Sequence, residues 1–418
     1  MSQVVGLDMV TGMGFIGLEP GRLYKIGQSP KLKDQTASGN PLLLNSAEAP
    51  LTALTLYGWS TQDGTPTPEN PVPIVSAGDS GEINVNVGGK NLLPFGQSQL
   101  QVGVPYETQG RTYTLNIDGS INISTQDSSA PTGSVFIFGN TSNRKHYKLP
   151  PGQYSFSTFS NDVNASIQFE NAEGENTRQA SSGSNILTIQ EGEYIAYVWL
   201  YAAAGTEWNT TIYPQIEIGE RTAYEPYKTP QALTIFTPGG LPGIPVSSGG
   251  NYTDENGQQW ICDEVDFKRG KYVQRTMKYT FDGSDKQAWR RYSSGFYIAD
   301  ALEDGEYTRK PGLSNQFFVR SNTESTLPGL WIGVNNSILY SVYNEFYDDS
   351  LPDFGLANWK AHLAAHPLEV MTYLETPTET PLSSEELDAY KVLRTYTPST
   401  TISNDADVRM GVGYKANA

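Results

Sequence analysis

The side chains best suited to hold a ligand in this sequence are aromatic and lie in one strand-like run, Tyr194–Tyr201. Successive side chains alternate between the two faces of a β-strand. One face of the run carries the large residues Ile195, Tyr197, Trp199 and Tyr201. The opposite face is aliphatic and consists of Ala196, Val198 and Leu200. An exposed aromatic face would stack on sugar rings, whereas an aromatic core would leave the aliphatic face outside. The alternation leaves both interpretations open.

A second aromatic candidate, Trp208, lies in the turn-like segment Gly205–Asn209. Binding residues are often carried by exposed loops. A tryptophan next to Glu207 and Asn209 would combine a flat apolar face with hydrogen-bonding groups. We predict that Trp208 is an exposed ligand contact. The alternative is a loop anchor that packs against the sheet.

The other reactive residue types form no known catalytic motif. His362 and His366 have the i, i+4 spacing of a helical metal pair, but the Leu-Ala-Ala between them lacks the glutamate of zinc proteases. Cys262, the single cysteine, is predicted to be a buried structural thiol. No spacing singles out a pair of carboxylates for glycoside hydrolysis. We predict no catalytic residue, metal or cofactor. A structural Ca²⁺ is compatible with acidic loops such as Asp254–Asn256, but no motif supports it.

The strands that would position these residues are short and numerous. The clearest hairpin is Tyr113–Ile123, in which Leu115 and Ile117 share a face before Asp118-Gly119, the dipeptide of a type I′ turn. About eight or nine strands with turn signals between them occupy residues 88–228. This pattern predicts a jelly-roll-like β-sandwich.

The remaining residues divide by composition. Residues 1–46 are glycine-rich and are predicted to form an N-terminal attachment segment, and residues 47–87 a strand pair with a proline-rich strap. Residues 229–250 are predicted to be a Gly/Pro linker with room for one short strand, Leu233–Phe236. Residues 251–418 are predicted to form a C-terminal β-rich module with two short helices. The second helix begins at a capping box, with Ser383 as N-cap and Glu386 at N3. The predicted fold class is mainly β.

Composition and charge exclude several classes of protein. The chain has 418 residues and a net charge of −17, which disfavours nucleic-acid binding and anionic membrane surfaces. With 25 tyrosines, 15 phenylalanines and 7 tryptophans it has enough aromatic residues to build a core. A single cysteine excludes a disulfide framework within the chain. We find neither a secretory signal nor a run of apolar residues long enough to insert in a membrane, so we expect synthesis in a cytoplasm.

Several short sequence segments resemble segments of minor structural and tail-fibre-like proteins of bacteriophages of Gram-positive bacteria. The similarity covers roughly residues 48–415. The segments are Leu51–Gly58 with Thr61–Pro68, Gly89–Leu93, Gln215–Gly219 with Tyr224–Tyr227, Gly240–Asp254 with Gly257–Glu264, and Pro381–Leu387. As a set they are specific, although each alone is only a strand-and-turn phrase. The resemblance carries no defined catalytic or sugar-contact residues.

The resemblance implies a virion protein of the tail tip, baseplate or tail fibre that is not an enzyme. It also implies that the sandwich of residues 88–228 is similar to a carbohydrate-binding module. Its expected partners are other tail or baseplate proteins, further copies of itself, as a homotrimer, and a host cell-surface glycan recognised during adsorption. One alternative is a decoration protein of the head, neck or tail tube without receptor binding. Another is a glycan depolymerase.

Overall fold

The fold is given by a computed structural model. It describes residues 5–8, 13–19, 22–25, 42–45 and 51–414, except for 95–96, 127, 185, 255, 293–294, 299–308, 321–328, 334–337, 342–345 and 397–398. Strands take up 49% of the chain and helices 7%, which confirms the predicted mainly β class with two short helices. No helix in these ranges is long and apolar enough to cross a membrane.

The strands before the central sandwich are β1 Val5–Asp8, β2 Met13–Glu19, β3 Arg22–Lys25, β4 Leu42–Asn45, β5 Leu51–Tyr57, β6 Ser60–Thr61, β7 Val75–Ser76 and β8 Gly81–Gly89. β1, β2 and β3 form a small sheet, and β4 pairs with a strand near the C-terminus. The rest of the predicted N-terminal attachment segment, residues 1–46, lies outside the described residues.

The central strands are β9 Pro105–Thr108, β10 Arg111–Leu115, β11 Ile121–Thr125, β12 Gly133–Phe138, β13 Gly152–Ser157, β14 Ala165–Glu170, β15 Asn176–Ser181, β16 Leu187–Ile189, β17 Tyr194–Ala202, β18 Asn209–Ile212 and β19 Gln215–Ile218, with a 3₁₀ turn at Ser182–Ser184. They form three antiparallel sheets with the orders β18-β11-β10-β9, β12-β17-β14-β15 and β16-β13-β19. All three sheets contribute side chains to one hydrophobic core, among them Tyr113, Phe156 and Leu200. Alternating apolar residues thus close residues 88–228 into a sandwich with its own core.

The C-terminal elements are β20 Gln231–Thr237, β21 Gly243–Val246, β22 Tyr252–Thr253, β23 Gln259–Cys262, β24 Glu264–Asp266, β25 Lys271–Phe281, β26 Arg290–Tyr292, β27 Gly295–Ile298, β28 Arg309–Lys310, β29 Gly312–Ser314, β30 Gly329–Gly333, β31 Ile338–Ser341, α1 Leu356–Ala365, β32 Leu368–Pro381, α2 Ser384–Val392, β33 Ser399–Asn404 and β34 Arg409–Tyr414. Their main sheets have the orders β20-β8-β33-β4, β29-β32-β25-β24-β5-β34 and β26-β27-β31-β30-β28.

Strand pairing makes the central sandwich an insertion in the C-terminal unit. The chain leaves this unit after β8 and returns at β20, and these two strands are antiparallel neighbours with Val87 opposite Gln231. Gly88 lies against Pro230, so the two connections run side by side. Domains whose ends lie close together are readily accommodated as insertions.

The observed pairing corrects one part of the predicted division. The two strands expected to pair within residues 47–87 are β5 and β8, but β5 lies between β24 and β34 while β8 lies between β20 and β33. Only the short strands β6 and β7 of this segment pair with each other. Within residues 229–250 the predicted short strand forms as β20, and a second strand, β21, follows it. Partners that are distant in sequence leave no mark on local composition.

The proline-rich strap packs on the C-terminal unit. The Val72 amide donates to the Asn315 carbonyl at 2.7 Å, and the Gln62 side-chain amide donates to the Ser314 carbonyl at 3.0 Å. Prolines remove backbone donors from this segment. Two of the remaining polar groups anchor the strap to the end of β29 and to the residue immediately after it.

Patterns formed by residues close in sequence predicted their elements better than composition predicted the division into domains. α2 begins at the predicted capping box: Ser383 accepts from the Glu386 amide, and the Glu386 carboxylate accepts from the Ser383 amide. The hairpin β10–β11 also forms, but its turn differs from the prediction. Gly119 has φ 80 and Asp118 is not among the residues with positive φ, which excludes a type I′ turn. Ile117 lies at the tip and is 94% exposed rather than in line with Leu115.

Candidate functional site

The aromatic face of β17 points away from the sandwich core. The aliphatic residues Val198, Leu200 and Ala202 belong to the core. Of the two interpretations of the alternation, the one with an aromatic core is therefore wrong. Ile195 does not share the outer face. A register shift between β14 and β17 separates it from Tyr197, and Ile195 is buried in the core. Such a shift reverses the side-chain alternation.

Four aromatic residues form the outer surface, which we call the aromatic platform: Phe136, Tyr197, Trp199 and Tyr201. Phe136 lies directly opposite Trp199 in the neighbouring strand β12. The rings of Phe136 and Tyr197 meet edge to face at 5.4 Å, and those of Tyr197 and Trp199 are 5.5 Å apart. Tyr201 is 54% exposed, Trp199 is half-buried and Tyr197 is 9% exposed. The platform therefore deepens from Tyr201 towards Tyr197.

A strip of polar side chains runs beside the platform on β14 and β15. We call Ser166, Gln168, Gln179 and Ser181 the polar strip. Ser166 lies opposite Trp199, and Gln168 lies opposite Tyr197. The amide of Gln168 donates to two backbone carbonyls and accepts from Gln179 at 3.0 Å. This arrangement fixes the amide of Gln179 at the exposed edge of the strip, one strand beyond Gln168 and two strands from Tyr197.

Charged groups close the Tyr197 end of the platform. The Glu170 carboxylate is buried and accepts from the Arg144 guanidinium and from His146 Nδ1, the latter at 3.0 Å. Arg144 also donates to Asn176 at 2.6 Å, and its guanidinium lies 5.8 Å from the Tyr197 ring centroid. His146 stacks on Tyr194 with ring centroids 3.8 Å apart. Because Glu170 balances Arg144, the pair presents no net charge to a ligand.

Trp208 is not the exposed contact that the sequence predicts. It is 4% exposed and belongs to the sandwich core. Its backbone amide donates to Thr125 Oγ1 at 2.6 Å, and the Arg111 guanidinium lies 5.8 Å from its ring centroid. Arg111 in turn donates to carbonyls of the loop that carries the tryptophan, at Ala203 and Thr206. The loop thus buries its largest residue, as the alternative interpretation describes.

Sequence reasoning missed the partners of β17. Phe136 and Gln168 lie on predicted strands, but nothing in one sequence shows which strands are neighbours. The alternation within β12 and β14 would have placed both residues on an outer face once the pairing was known.

The remaining reactive residues have structural surroundings. His362 Nε2 lies 2.8 Å from Gln316 Oε1, and the rings of His362 and His366 are 5.2 Å apart. In the described part of the chain no three metal-ligating side chains converge. Burial raises the pKa of the Cys262 thiol, which keeps it protonated and unreactive.

A cavity of about 370 Å³ lies in the C-terminal unit, and two of its lining residues are Asp263 and Glu386. Asp263 accepts hydrogen bonds from Tyr272 and Thr276 at 2.8 and 3.0 Å. Glu386 is the capping residue of α2. Both carboxylates therefore already hold local structure together.

No protein-family model, curated protein or solved structure matches this chain. A function for the sandwich is therefore assigned from the geometry of the aromatic platform and the polar strip.

Proposed function

We propose that this protein is a structural component of a bacteriophage tail, at the tip, baseplate or fibre, and that its central sandwich recognises a host-surface glycan. The observation that carries the glycan part is the aromatic platform beside the polar strip, in which Tyr201 is exposed and Phe136 and Trp199 are half-buried. Sugar rings have apolar C–H faces and hydroxyl edges, so such a neighbouring pair of surfaces complements them. The tail assignment depends on the phrases that resemble phage tail proteins.

The insertion supports separate roles for the two parts of the chain, assembly for one and host recognition for the other. The C-terminal unit, with the N-terminal residues, would contact other tail or baseplate proteins, while the inserted sandwich would face the host. A weak single site becomes effective when copies act together, so the proposal includes a homo-oligomer, a trimer being the form expected.

Glycan binding is tested by measuring the purified protein on an array of bacterial cell-surface glycans. We compare wild type with Trp199→Ala and Tyr201→Ala. Each substitution should weaken binding at least about tenfold, which corresponds to about 1.4 kcal/mol. Phe236→Ala is the matched control, because Phe236 is 60% exposed but lies on the C-terminal unit. Absence of glycan binding by wild type, or an equal loss in the control, refutes the glycan proposal.

The location is tested separately by immuno-electron microscopy of particles. Label on the tail is expected, and label on the capsid would favour the decoration alternative. Release of reducing sugar from host cell wall by the purified protein would favour the depolymerase alternative.

A further inference from the structure

A second aromatic surface lies on the C-terminal unit, on a different sheet from the aromatic platform. Tyr57 and Arg409 are opposite each other in β5 and β34, while the adjacent Leu56 and Met410 enter the core. The hairpin β22–β23 covers this face. It stacks Tyr252 on Tyr57 at 5.2 Å and places Trp260 5.5 Å from Trp59. The four rings are half-buried around the arginine. We call these five residues the Arg409 patch.

Arg409 is the unusual member of this patch. It is 5% exposed, and its guanidinium carbon lies 3.2 Å above the Trp59 ring centroid. Nε and Nη1 are buried and have no hydrogen-bond acceptor among the described residues. A buried cation with unpaired donors destabilises a fold unless something compensates. Burial accordingly lowers the pKa of the Arg409 guanidinium.

Tyr252, Asp407, Asp254 and Cys262 are close enough to act on Arg409 electrostatically, but none of them accepts a hydrogen bond from Nε or Nη1. Asp254 is engaged within the hairpin: one oxygen accepts from two backbone amides and the other accepts from Trp260 Nε1 at 3.0 Å.

The ring geometry argues against a sugar as the occupant. Tyr57 and Tyr252 each cover one face of the other, and the guanidinium covers one face of Trp59. Three of the four half-buried rings thus already use a face in contacts within the patch. Tryptophan, tyrosine and arginine are instead the residue types that dominate the binding energy of protein interfaces.

We propose that the Arg409 patch docks a segment of another protein that places an aspartate or glutamate carboxylate on the Arg409 guanidinium. A carboxylate accepts two parallel hydrogen bonds from a guanidinium, which are the bonds that Nε and Nη1 lack. Half-buried rings around it would exclude water and strengthen the pair. Because Nε and Nη1 are buried, docking would move either the guanidinium or the hairpin β22–β23 that covers it. The surroundings of Trp59 would then change on binding.

The probe is a random-peptide display library, selected on the immobilised full chain and depleted on Arg409→Met. We expect enriched peptides to carry an acidic residue at one fixed position. Replacing that residue by its amide in a synthetic copy should weaken binding to wild type at least tenfold and leave residual binding to Arg409→Met unchanged. Arg269→Met is the matched control, because Arg269 lies in the turn between β24 and β25, is paired with Glu379 of β32 and should not affect binding.

Each other outcome overturns the proposal. A carboxylate ligand is refuted if the enriched peptides lack acidic residues, or if no peptides are enriched. It is also refuted if the peptides bind wild type and Arg409→Met equally. Sedimentation velocity identifies another occupant: if wild type self-associates and Arg409→Met does not, the patch binds a second copy. Competition by oligosaccharides would assign it to glycan.

Thermal unfolding separates docking from a structural role. Arg409→Met should leave the Tm unchanged or raise it, because it removes unpaired buried donors. Arg275→Met should lower the Tm, because Arg275 pairs with Glu264 at 3.0 Å. A larger loss in Arg409→Met than in Arg275→Met would show that Arg409 is structural and would refute the proposal.

Discussion

Removal of Lys90 is expected to destabilise the central sandwich strongly. Its ammonium lies 2.9 Å from Glu225 Oε1 and 3.8 Å from Glu217 Oε2. It also donates to Thr222 Oγ1 at 2.6 Å and to the Ala223 carbonyl at 2.5 Å. Lys90, Glu217 and Glu225 are 5%, 1% and 9% exposed. One buried cation therefore holds two buried carboxylates where the chain leaves the sandwich.

The magnitude depends on the groups that Lys90→Met leaves behind. Methionine keeps most of the apolar stem, so packing changes little, but both carboxylates lose their cation. Removing one partner of a buried ion pair costs about 3–5 kcal/mol. Folding stabilities are about 5–15 kcal/mol, so the sandwich would lose a large share of its stability. Adding Glu225→Gln removes one uncompensated charge and should restore part of the loss.

The assay is urea unfolding, with hydrogen exchange of the β19 amides to locate the change in the sandwich. Lys391→Met is the matched control. Lys391 also pairs with a carboxylate, Asp388 at 2.8 Å, but both side chains are exposed. Exposed pairs contribute about 0–1 kcal/mol. If Lys90→Met costs no more than Lys391→Met, or if Glu225→Gln gives no recovery, the ion network does not hold the sandwich.

Three further predictions concern stability. Trp208→Ala should destabilise the sandwich by about 3–5 kcal/mol in urea unfolding, because it empties a core position; a change below about 1 kcal/mol would contradict burial of the ring. Gly58→Ala should cost about 1–3 kcal/mol, since an added Cβ would lie 1.7 Å from the Leu241 carbonyl oxygen, whereas Gly239→Ala, with nothing within 4 Å, should stay within about 0.5 kcal/mol. Burial raises the pKa of Tyr57 from 10.0 to about 12. The unfolded chain therefore releases this proton first, and stability falls as pH rises from 10 to about 12. Tyr57→Phe should remove about 1 kcal/mol of that fall, allowing for solvent around a half-buried ring, and an unchanged pH profile would contradict the shift.

Local patterns predicted the elements whose signals are local. The capping box of α2 needs only Ser383 and Glu386 at the right spacing, and it forms as predicted. The β10–β11 hairpin also forms, although the dipeptide Asp118-Gly119 did not determine its turn type. A glycine with positive φ suits more than one kind of turn. The turn type depends on the length of the loop, which is known only once the register of the two strands is known.

The candidate site was predicted only in part. The alternation in β17 placed Tyr197, Trp199 and Tyr201 on one face, but which face is buried depends on the sheets packed against it. For the same reason Trp208 was assigned to the surface, when Arg111, distant in sequence, holds its loop against the core. Burial of an aromatic residue is a tertiary property, and one sequence does not report it.

The insertion of the sandwich gives a final prediction that tests the architecture as a whole. The sandwich core and the core around β5, β8, β20, β33 and β34 share no residue. β8 and β20 are already antiparallel neighbours, so a turn of about two to five residues should join Gly89 to Pro230 after residues 90–229 are removed. We expect the shortened chain to unfold cooperatively, and isolated residues 88–228 to do the same. Circular dichroism and thermal unfolding measure both. An insoluble shortened chain, beside a well-folded full-length protein, would mean that the sandwich is part of the C-terminal unit's fold. If both pieces fold, glycan binding should remain with residues 88–228 and peptide docking with the shortened chain, because the aromatic platform and the Arg409 patch lie on different pieces.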